Sequence, residues 1–301
     1  MLLDKNGIVF VEDPTYFISS SILAKDLGLK VVPVPMAKDG IDIEELKKAV
    51  LKEKAGIAFD QDRFWAMVYT IPTYHNPTTT TMSREKGRRL IELATQENML
   101  VVCDDVYNLL SYSPFPFSRL RALQQEDENC VISNGTFSKI LAPGVRLGWI
   151  EAPPAIVSRL AASGFLQSGG SMNNLTSGIA TSLLSLGLLD AQLDHCKQVY
   201  GARMSTALKE LEELPEGWAV ESPGGGYFLW ITAPQDLTAF CHQLEKNGVG
   251  VLPGSRASSS SPPPSNLCAS CRLSIAFFTE EEIALACKTI VQAACEVAPL
   301  T

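Results

Sequence analysis

The run Met99-Leu100-Val101-Val102-Cys103 is apolar throughout, too short for a helix, and stops abruptly at Asp104-Asp105. A strand without polar alternation needs cover on both faces, which is the condition of a parallel strand sandwiched between helices. Its neighbours repeat the theme. Strand-like runs at 7–11, 30–34 and 66–70 alternate with helical periods at 16–27, 43–54 and 83–98. Such alternation marks a parallel sheet with crossover helices. Ser83 is the expected N-cap of the third helix, with Gly87, Leu90, Ile91 and Ala94 on its inner face. Further strands are expected at 130–133 and 148–150. After Pro153-Pro154 helical periods run to about Leu214, where Leu193, Cys196, Tyr200, Met204, Leu208 and Leu211 form one apolar stripe. From Trp218 a smaller α+β unit is expected, with strands at 218–221, 227–231 and 271–276 and a helix over 280–297. The division expected is a large unit over 1–189 and a small one over 190–301, the latter including the linking helix.

With 301 residues, 46% of them hydrophobic, the chain has ample material for such a core. The net charge of −8 and the lack of a basic stripe argue against nucleic acid as a partner. Every long apolar run is broken by glycine, serine or charge, so no membrane span is expected. Met1-Leu2-Leu3-Asp4-Lys5 carries no secretory leader, and the eight scattered cysteines suit reduced thiols. A cytoplasmic, or at least intracellular, protein is the expectation. Cys268-Ala269-Ser270-Cys271 lacks a second pair or nearby histidine and reads as a loop entering a strand. The run 258–265, four serines and three prolines before a fifth serine, reads as a flexible surface loop. His75, His195 and His242 have no evident partner and receive no role.

Chemistry concentrates in Thr136-Phe137-Ser138-Lys139 and in Arg146, seven residues beyond the lysine. A lysine that forms a Schiff base must be anchored beside whatever grips the rest of its cofactor. In extended backbone Thr136 and Ser138 would face one side, and Arg146 could offer its planar fork to the same anion. Asp104, at the carboxyl end of its strand, lies where open α/β sheets bind ligands, and a carboxylate there can keep a pyridine nitrogen protonated. Tyr107 follows three residues later, and the strand end Tyr69-Thr70-Ile71-Pro72-Thr73-Tyr74-His75-Asn76 delivers Asn76. Asp104-Asp105 as a divalent-metal pair lacks a third ligand at useful spacing. Gly224-Gly225-Gly226 lacks the lysine of a phosphate loop and reads as a close backbone approach before a strand.

These segments resemble the fold-type I pyridoxal-phosphate (PLP) enzymes of aminotransferase class I/II, especially the 2-aminoadipate and kynurenine aminotransferase branch. The matching motifs, in the family's order, are Glu12-Asp13-Pro14-Thr15-Tyr16, Asn76-Pro77-Thr78, Asp104-Asp105-Val106-Tyr107, Thr136-Phe137-Ser138-Lys139, Val145-Arg146-Leu147-Gly148, Gly226-Tyr227-Phe228-Leu229-Trp230, Val251-Leu252-Pro253-Gly254 and Cys271-Arg272-Leu273-Ser274. The resemblance implies a three-layer αβα fold with a mostly parallel sheet and a smaller C-terminal α+β domain. It implies PLP as cofactor, an amino acid and a 2-oxo acid as substrates, and a homodimer. Lys139 would carry the Schiff base and move the proton, and Asp104 would pair with the pyridinium nitrogen. Asn76 and Tyr107 would hydrogen-bond the ring oxygen, and Tyr16 would stack on the ring. Thr136, Ser138 and Arg146 would bind the phosphate, and Arg272 the substrate carboxylate.

The resemblance also places a sizeable segment ahead of the Glu12 motif, including a Gly/Ser-rich turn for the phosphate. Only eleven residues precede Glu12 here, so the phosphate is expected to rest on Thr136, Ser138 and Arg146 without helix-end amides. Thr79 stands where the family usually has glycine, and Ser255-Arg256-Ala257 where an aromatic is common. Two rivals to transamination stay open at this stage: β-elimination by the same machinery, and a catalytically silent binding module.

Overall fold

The computed structural model describes residues 1–55, 62–112, 119–125, 128–168 and 172–297. Among these, seven strands form the main sheet: β1 (Leu3–Asp13), β2 (Lys30–Ala37), β3 (Gly40–Ile41), β4 (Phe64–Thr70), β5 (Met99–Asp104), β6 (Val131–Thr136) and β7 (Gly148–Glu151). Their order is β3-β2-β1-β4-β5-β6-β7. The inner five strands pair in parallel, while β3 and β7 are antiparallel at the two edges. Helices α1 (Phe17–Ser21), α2 (Ile43–Lys54), α3 (Arg84–Gln96) and α4 (Leu120–Leu123) connect these strands. Then follow α5 (Pro154–Ala161), α6 (Gly164–Gln167), α7 (Asn174–Ser185) and the long α8 (Leu188–Leu211). A second sheet, in the order β10-β11-β9-β8, comprises β8 (Ala219–Val220), β9 (Phe228–Thr232), β10 (Leu252–Pro253) and β11 (Ser270–Ser274). It is accompanied by α9 (Thr238–Lys246), α10 (Ser265–Cys268) and α11 (Glu280–Val297).

Successive side chains of a strand point to opposite faces, and here both faces are apolar. Ile8, Phe10, Val68, Val101 and Cys103 enter one core with Leu46, Val50, Leu90 and Ile91 of α2 and α3. Val9, Val11, Tyr69 and Ile71 enter the other, which also takes in α8, the small sheet and α11. The result is the expected three-layer αβα fold. α2 begins at Asp42, whose carboxylate accepts from the Glu44 and Glu45 amides at 2.9 and 3.1 Å. α3 begins at Ser83, whose hydroxyl accepts from Lys86 N at 3.2 Å, the cap that its sequence predicts.

Several boundaries differ from expectation. β1 extends to both sides of 7–11, and the strand expected at 218–221 shrinks to two residues. The helix expected at 16–27 is α1 followed by a wider turn over Ile22–Asp26, closed by Leu27 N to Ile22 O at 2.9 Å. The helical stretch after Pro154 divides into four helices; residues 169–171 of it lie outside the described residues. Helix α9 carried no sequence expectation. The serine run is not a free loop, because Asp13 accepts from Ser258 Oγ, Ser259 N and Ser260 Oγ at 3.2, 2.9 and 2.5 Å. Cys271 is buried on β11, opposite Ile231 of β9 and Pro253 of β10. Among the described residues no helix is long and apolar enough to cross a membrane.

Gly225 joins the two sheets by the close approach its sequence suggests. A Cβ there would lie 2.5 Å from the Leu110 carbonyl oxygen and 2.4 Å from the Tyr74 ring. On both sides of it the chains are cross-linked, Gly226 N to Leu110 O and Tyr112 N to Gly224 O, each 3.0 Å. Gly225→Ala is therefore expected to lower stability by about 1–3 kcal/mol, read as a reduced midpoint in urea unfolding.

Candidate active site

In this sheet the chain leaves β1 toward β2 on one side, while β4 lies on the other, so the crevice at the strand carboxyl ends opens beside β1 and β4. Four strand ends deliver side chains into a cavity of about 460 Å³, within the ~300–1,000 Å³ typical of small-molecule sites. β1 delivers Tyr16, β4 delivers Asn76, β5 delivers Asp104 and Tyr107, and β6 leads to Thr136, Ser138 and Lys139. Arg146 and, from the small sheet, Arg272 complete the lining. All nine residues singled out in the sequence therefore share one cavity.

Register explains why Asp104 enters it and Asp105 does not. Asp104 pairs with Asn134, and Tyr69 pairs with Val102, so all four residues lie on one sheet face. Asp104 Oδ2 accepts from the Tyr69 hydroxyl at 2.6 Å, and Oδ1 from Asn134 Nδ2 at 3.3 Å. Asp105 points to the opposite face, where it accepts from Ser133 Oγ at 2.6 Å. Two carboxylates on opposite faces cannot share a metal ion. Among the described residues no group of three or more His, Cys, Asp or Glu side chains could hold one.

The lysine segment departs from its expected geometry. β6 ends at Thr136, and the chain then turns, so Thr136 and Ser138 do not alternate along extended backbone. Instead Thr136 Oγ1 accepts from Ser138 N at 3.1 Å, a local hydroxyl turn that still leaves both residues lining the cavity. Arg146 has a left-handed backbone at φ 47°, and its Nη1 donates to Ser138 Oγ at 3.3 Å. One cation and two hydroxyls thus gather at one place, a donor set suited to a phosphate.

The electrostatics follow from burial. Burial pushes the Lys139 amine below the usual lysine range; Arg146 and Arg272 add to the shift and Asp104 opposes it. Burial pushes the Asp104 carboxyl up, while hydrogen bonds from Tyr69 and Asn134 and the charge of Lys139 pull it down. The Tyr107 hydroxyl sits well above its ordinary range, mainly through burial, with the Asp104 charge second. The Tyr227 ring lies edge-on to the Tyr107 ring at 5.4 Å. Arg272 stacks on Phe228 at 4.1 Å and donates from Nη1 to Asn76 Oδ1 at 2.6 Å. Its Nε is buried without a partner among the described residues, leaving part of the fork free for an anion.

Sequence reasoning missed Tyr69, Asn134, Tyr227 and the Phe17, Ile18 and Phe228 walls. The period-two pattern through Tyr69 and Ile71 was a usable signal, but it needed the β4–β5 register to connect Tyr69 with Asp104. His75, given no partner from sequence, is buried with its Nε2 3.2 Å from Glu12 Oε2, and its Nδ1 is 2.8 Å from Thr78 Oγ1. Glu12 in turn accepts from Thr70 Oγ1 and Ile71 N at 2.8 and 2.9 Å, fixing the segment that carries Asn76.

Comparison with known proteins adds to this geometry. The family model for Aminotransferase class I and II matches residues 1–290. The aromatic-amino-acid aminotransferase 1 of Thermococcus litoralis is 34% identical over 84% of this chain; the chain spans 60% of that relative's length. A crystal structure of the kynurenine aminotransferase of Pyrococcus horikoshii in complex with PMP superposes with a TM-score of 0.84 at 30% identity. That match covers 99% of this chain and 72% of the other. LysN of Thermus thermophilus, an alpha-aminoadipate aminotransferase complexed with N-(5'-phosphopyridoxyl)-L-leucine, gives 0.80 at 27% identity, covering 98% of this chain and 72% of LysN.

Asp105 supplies a pH test. Burial pushes its carboxyl up to about 6; the Ser133 hydrogen bond and the Arg119 charge oppose this. The folded value lies above the unfolded one of about 4, so the folded state binds the extra proton between them. Its contribution to stability is fully present below that window and is lost as pH rises through it. Asp105→Asn, neutral at every pH, should therefore gain stability relative to wild type between about pH 4 and pH 7, measured by urea unfolding across that range.

Proposed function

The chain belongs to the class I and II aminotransferases, and from that premise we propose that it transfers the amino group of an α-amino acid to a 2-oxo acid with PLP. The observation that carries the reading is the meeting of Lys139, half-buried Asp104, Arg146 and Arg272 in a single cavity. The donor set fits the cofactor. Thr136, Ser138 and Arg146 suit its phosphate, Asp104 its ring nitrogen, Asn76 and Tyr107 its ring oxygen, Tyr16 its face and Lys139 its aldehyde carbon. When bound, PLP supplies an electron-poor ring that accommodates the electrons left when a substrate bond at Cα is broken.

The remaining work falls to side chains. Arg272, its plane fixed by Phe228 and Asn76, binds the substrate carboxylate and so sets which Cα bond faces Lys139. A lysine below its usual range holds more neutral amine near neutrality, and Lys139 Nζ takes the proton from Cα and later returns it. Asp104, whose charged form Tyr69, Asn134 and Lys139 favour against its burial, supports positive charge at the ring nitrogen. The Tyr107 ring, held edge-on by Tyr227 and Phe228, lines the cavity. Phe17, Ile18 and Val106 cover the rest with apolar surface and exclude water.

Residues 1–189 are read as the larger, cofactor-binding unit and 190–301 as the smaller one. Two copies are read as pairing, which the exposed Phe165, Leu175 and Ile179 on α6 and α7 favour.

Incubation with an amino acid and 2-oxoglutarate should yield glutamate; ammonia with pyruvate instead would replace transfer by elimination. Lys139→Ala is expected to lose the visible absorbance acquired on adding PLP and to slow turnover by roughly 10²–10⁴-fold. Arg272→Ala should lower kcat/KM by about 10–100-fold through a lost charge-assisted pair, with the absorbance retained.

A further inference from the structure

Tyr69 is buried on β4, 8% exposed, directly beneath the cavity. Its hydroxyl donates to Asp104 Oδ2 at 2.6 Å, and Ser19 Oγ lies 2.9 Å from the same phenolic oxygen. A phenol has one hydrogen, and here it is committed to the carboxylate, so Ser19 is the donor to Tyr69. The Tyr69-to-Asp104 direction is thereby fixed, and Ser19 is the partner that can donate to the phenolic oxygen. The single Ser19 hydrogen has a second acceptor in reach, the Tyr16 carbonyl oxygen at 3.0 Å, so the serine bridges Tyr16 and Tyr69. Three hydroxyl contacts therefore tie helix α1 and the cavity-lining Tyr16 to the acid on β5.

We propose that Tyr69 is the positioning residue of Asp104, holding one carboxylate oxygen in place and favouring its charged form through the hydrogen bond it donates, with Ser19 steering the phenol. The proposal deepens the functional reading above, since it concerns how Asp104 is prepared for the ring nitrogen. Two further observations support it. Burial and the adjacent Asp104 charge hold the Tyr69 hydroxyl well above its ordinary range, so it remains a donor throughout the neutral and alkaline range. The groups acting on the Asp104 carboxyl are otherwise Asn134, which donates at the longer distance of 3.3 Å, and Lys139 from the turn after β6. Tyr16 and Tyr107 also feel its charge but make no hydrogen bond to it. Of the two donors to this carboxylate, Tyr69 is the shorter and the better shielded from water.

A tyrosine that merely fills the core would be replaced by phenylalanine without consequence for Asp104, and that difference is the test. In protein free of cofactor, the Asp104 carboxyl carbon is followed by NMR against pH, its signal identified by its loss in Asp104→Asn. Tyr69→Phe should move the titration midpoint upward, and Ser19→Ala, on a half-exposed helix, should move it the same way by less. An unmoved midpoint in both variants overturns the proposal. Titration with PLP, read by visible absorbance, should show about tenfold weaker binding to Tyr69→Phe, the worth of one hydrogen bond to a charged group. Equal affinity in wild type and variant overturns it too. Should wild type acquire no absorbance while the midpoint still moves, the cofactor reading fails and the Tyr69–Asp104 coupling stands.

Discussion

Burial of opposite charges in one cavity is the constraint on which the rest of this structure depends. Desolvation alone would neutralise Asp104 and Lys139, pushing the first up and the second down. Each partly offsets that cost for the other, and the Tyr69 and Asn134 donors offset more of it for the acid, whose carboxyl still ends above its ordinary range. The arginines act differently: Arg146 and Arg272 press the lysine further toward its neutral form, and they lie in the same cavity as the proposed anion sites. Acid, amine and anion sites are thus one electrostatic unit. Removing Asp104 or either arginine would shift the Lys139 amine, and removing Lys139 would shift the Asp104 carboxyl.

That unit requires strands of a particular kind. Because both faces of the main sheet are apolar, alternate side chains on β4, β5 and β6 must go into one core or the other. A one-residue slip of β5 would exchange Asp104 with Asp105 and send the cavity acid to the opposite face. The small sheet has to be fixed against the large one as well, since Arg272 lies on β11 and meets Asn76 from beyond β4. The glycine crossing at Gly225 and the serine run pinned to Asp13 both act at that junction. Segments that look like spacer in the sequence hold the two halves of the cavity together.

How much of this is legible in the sequence divides along physical lines. Patterns that repeat within one element are readable: the apolar run of β5, the cap and inner face of α3, the stripe along α8. The ordered motifs also point to nine of the residues that line the cavity, because each sits at a strand end or turn with its own local signature. Tyr69, Asn134 and Tyr227 are not readable as participants. Tyr69 looks like any strand aromatic until the β4–β5 register sets it diagonal to Asp104, and Asn134 becomes relevant only through pairing with β5. The serine run reads wrongly as a free loop because low complexity reports composition, whereas its order comes from a carboxylate some 245 residues away.

The amino-acid order alone settled the class of fold, the positions of most strands and helices, and the residue types available for chemistry. These depend on periodicity and on contacts between near neighbours, which any stretch of chain expresses locally. Folding decided which hydroxyl donates to which carboxylate, which of two adjacent acids enters the cavity, and which arginine nitrogen stays free. Those outcomes rest on hydrogen bonds of a few ångströms between distant segments, and only strand register and the packing of two sheets can bring such atoms within reach.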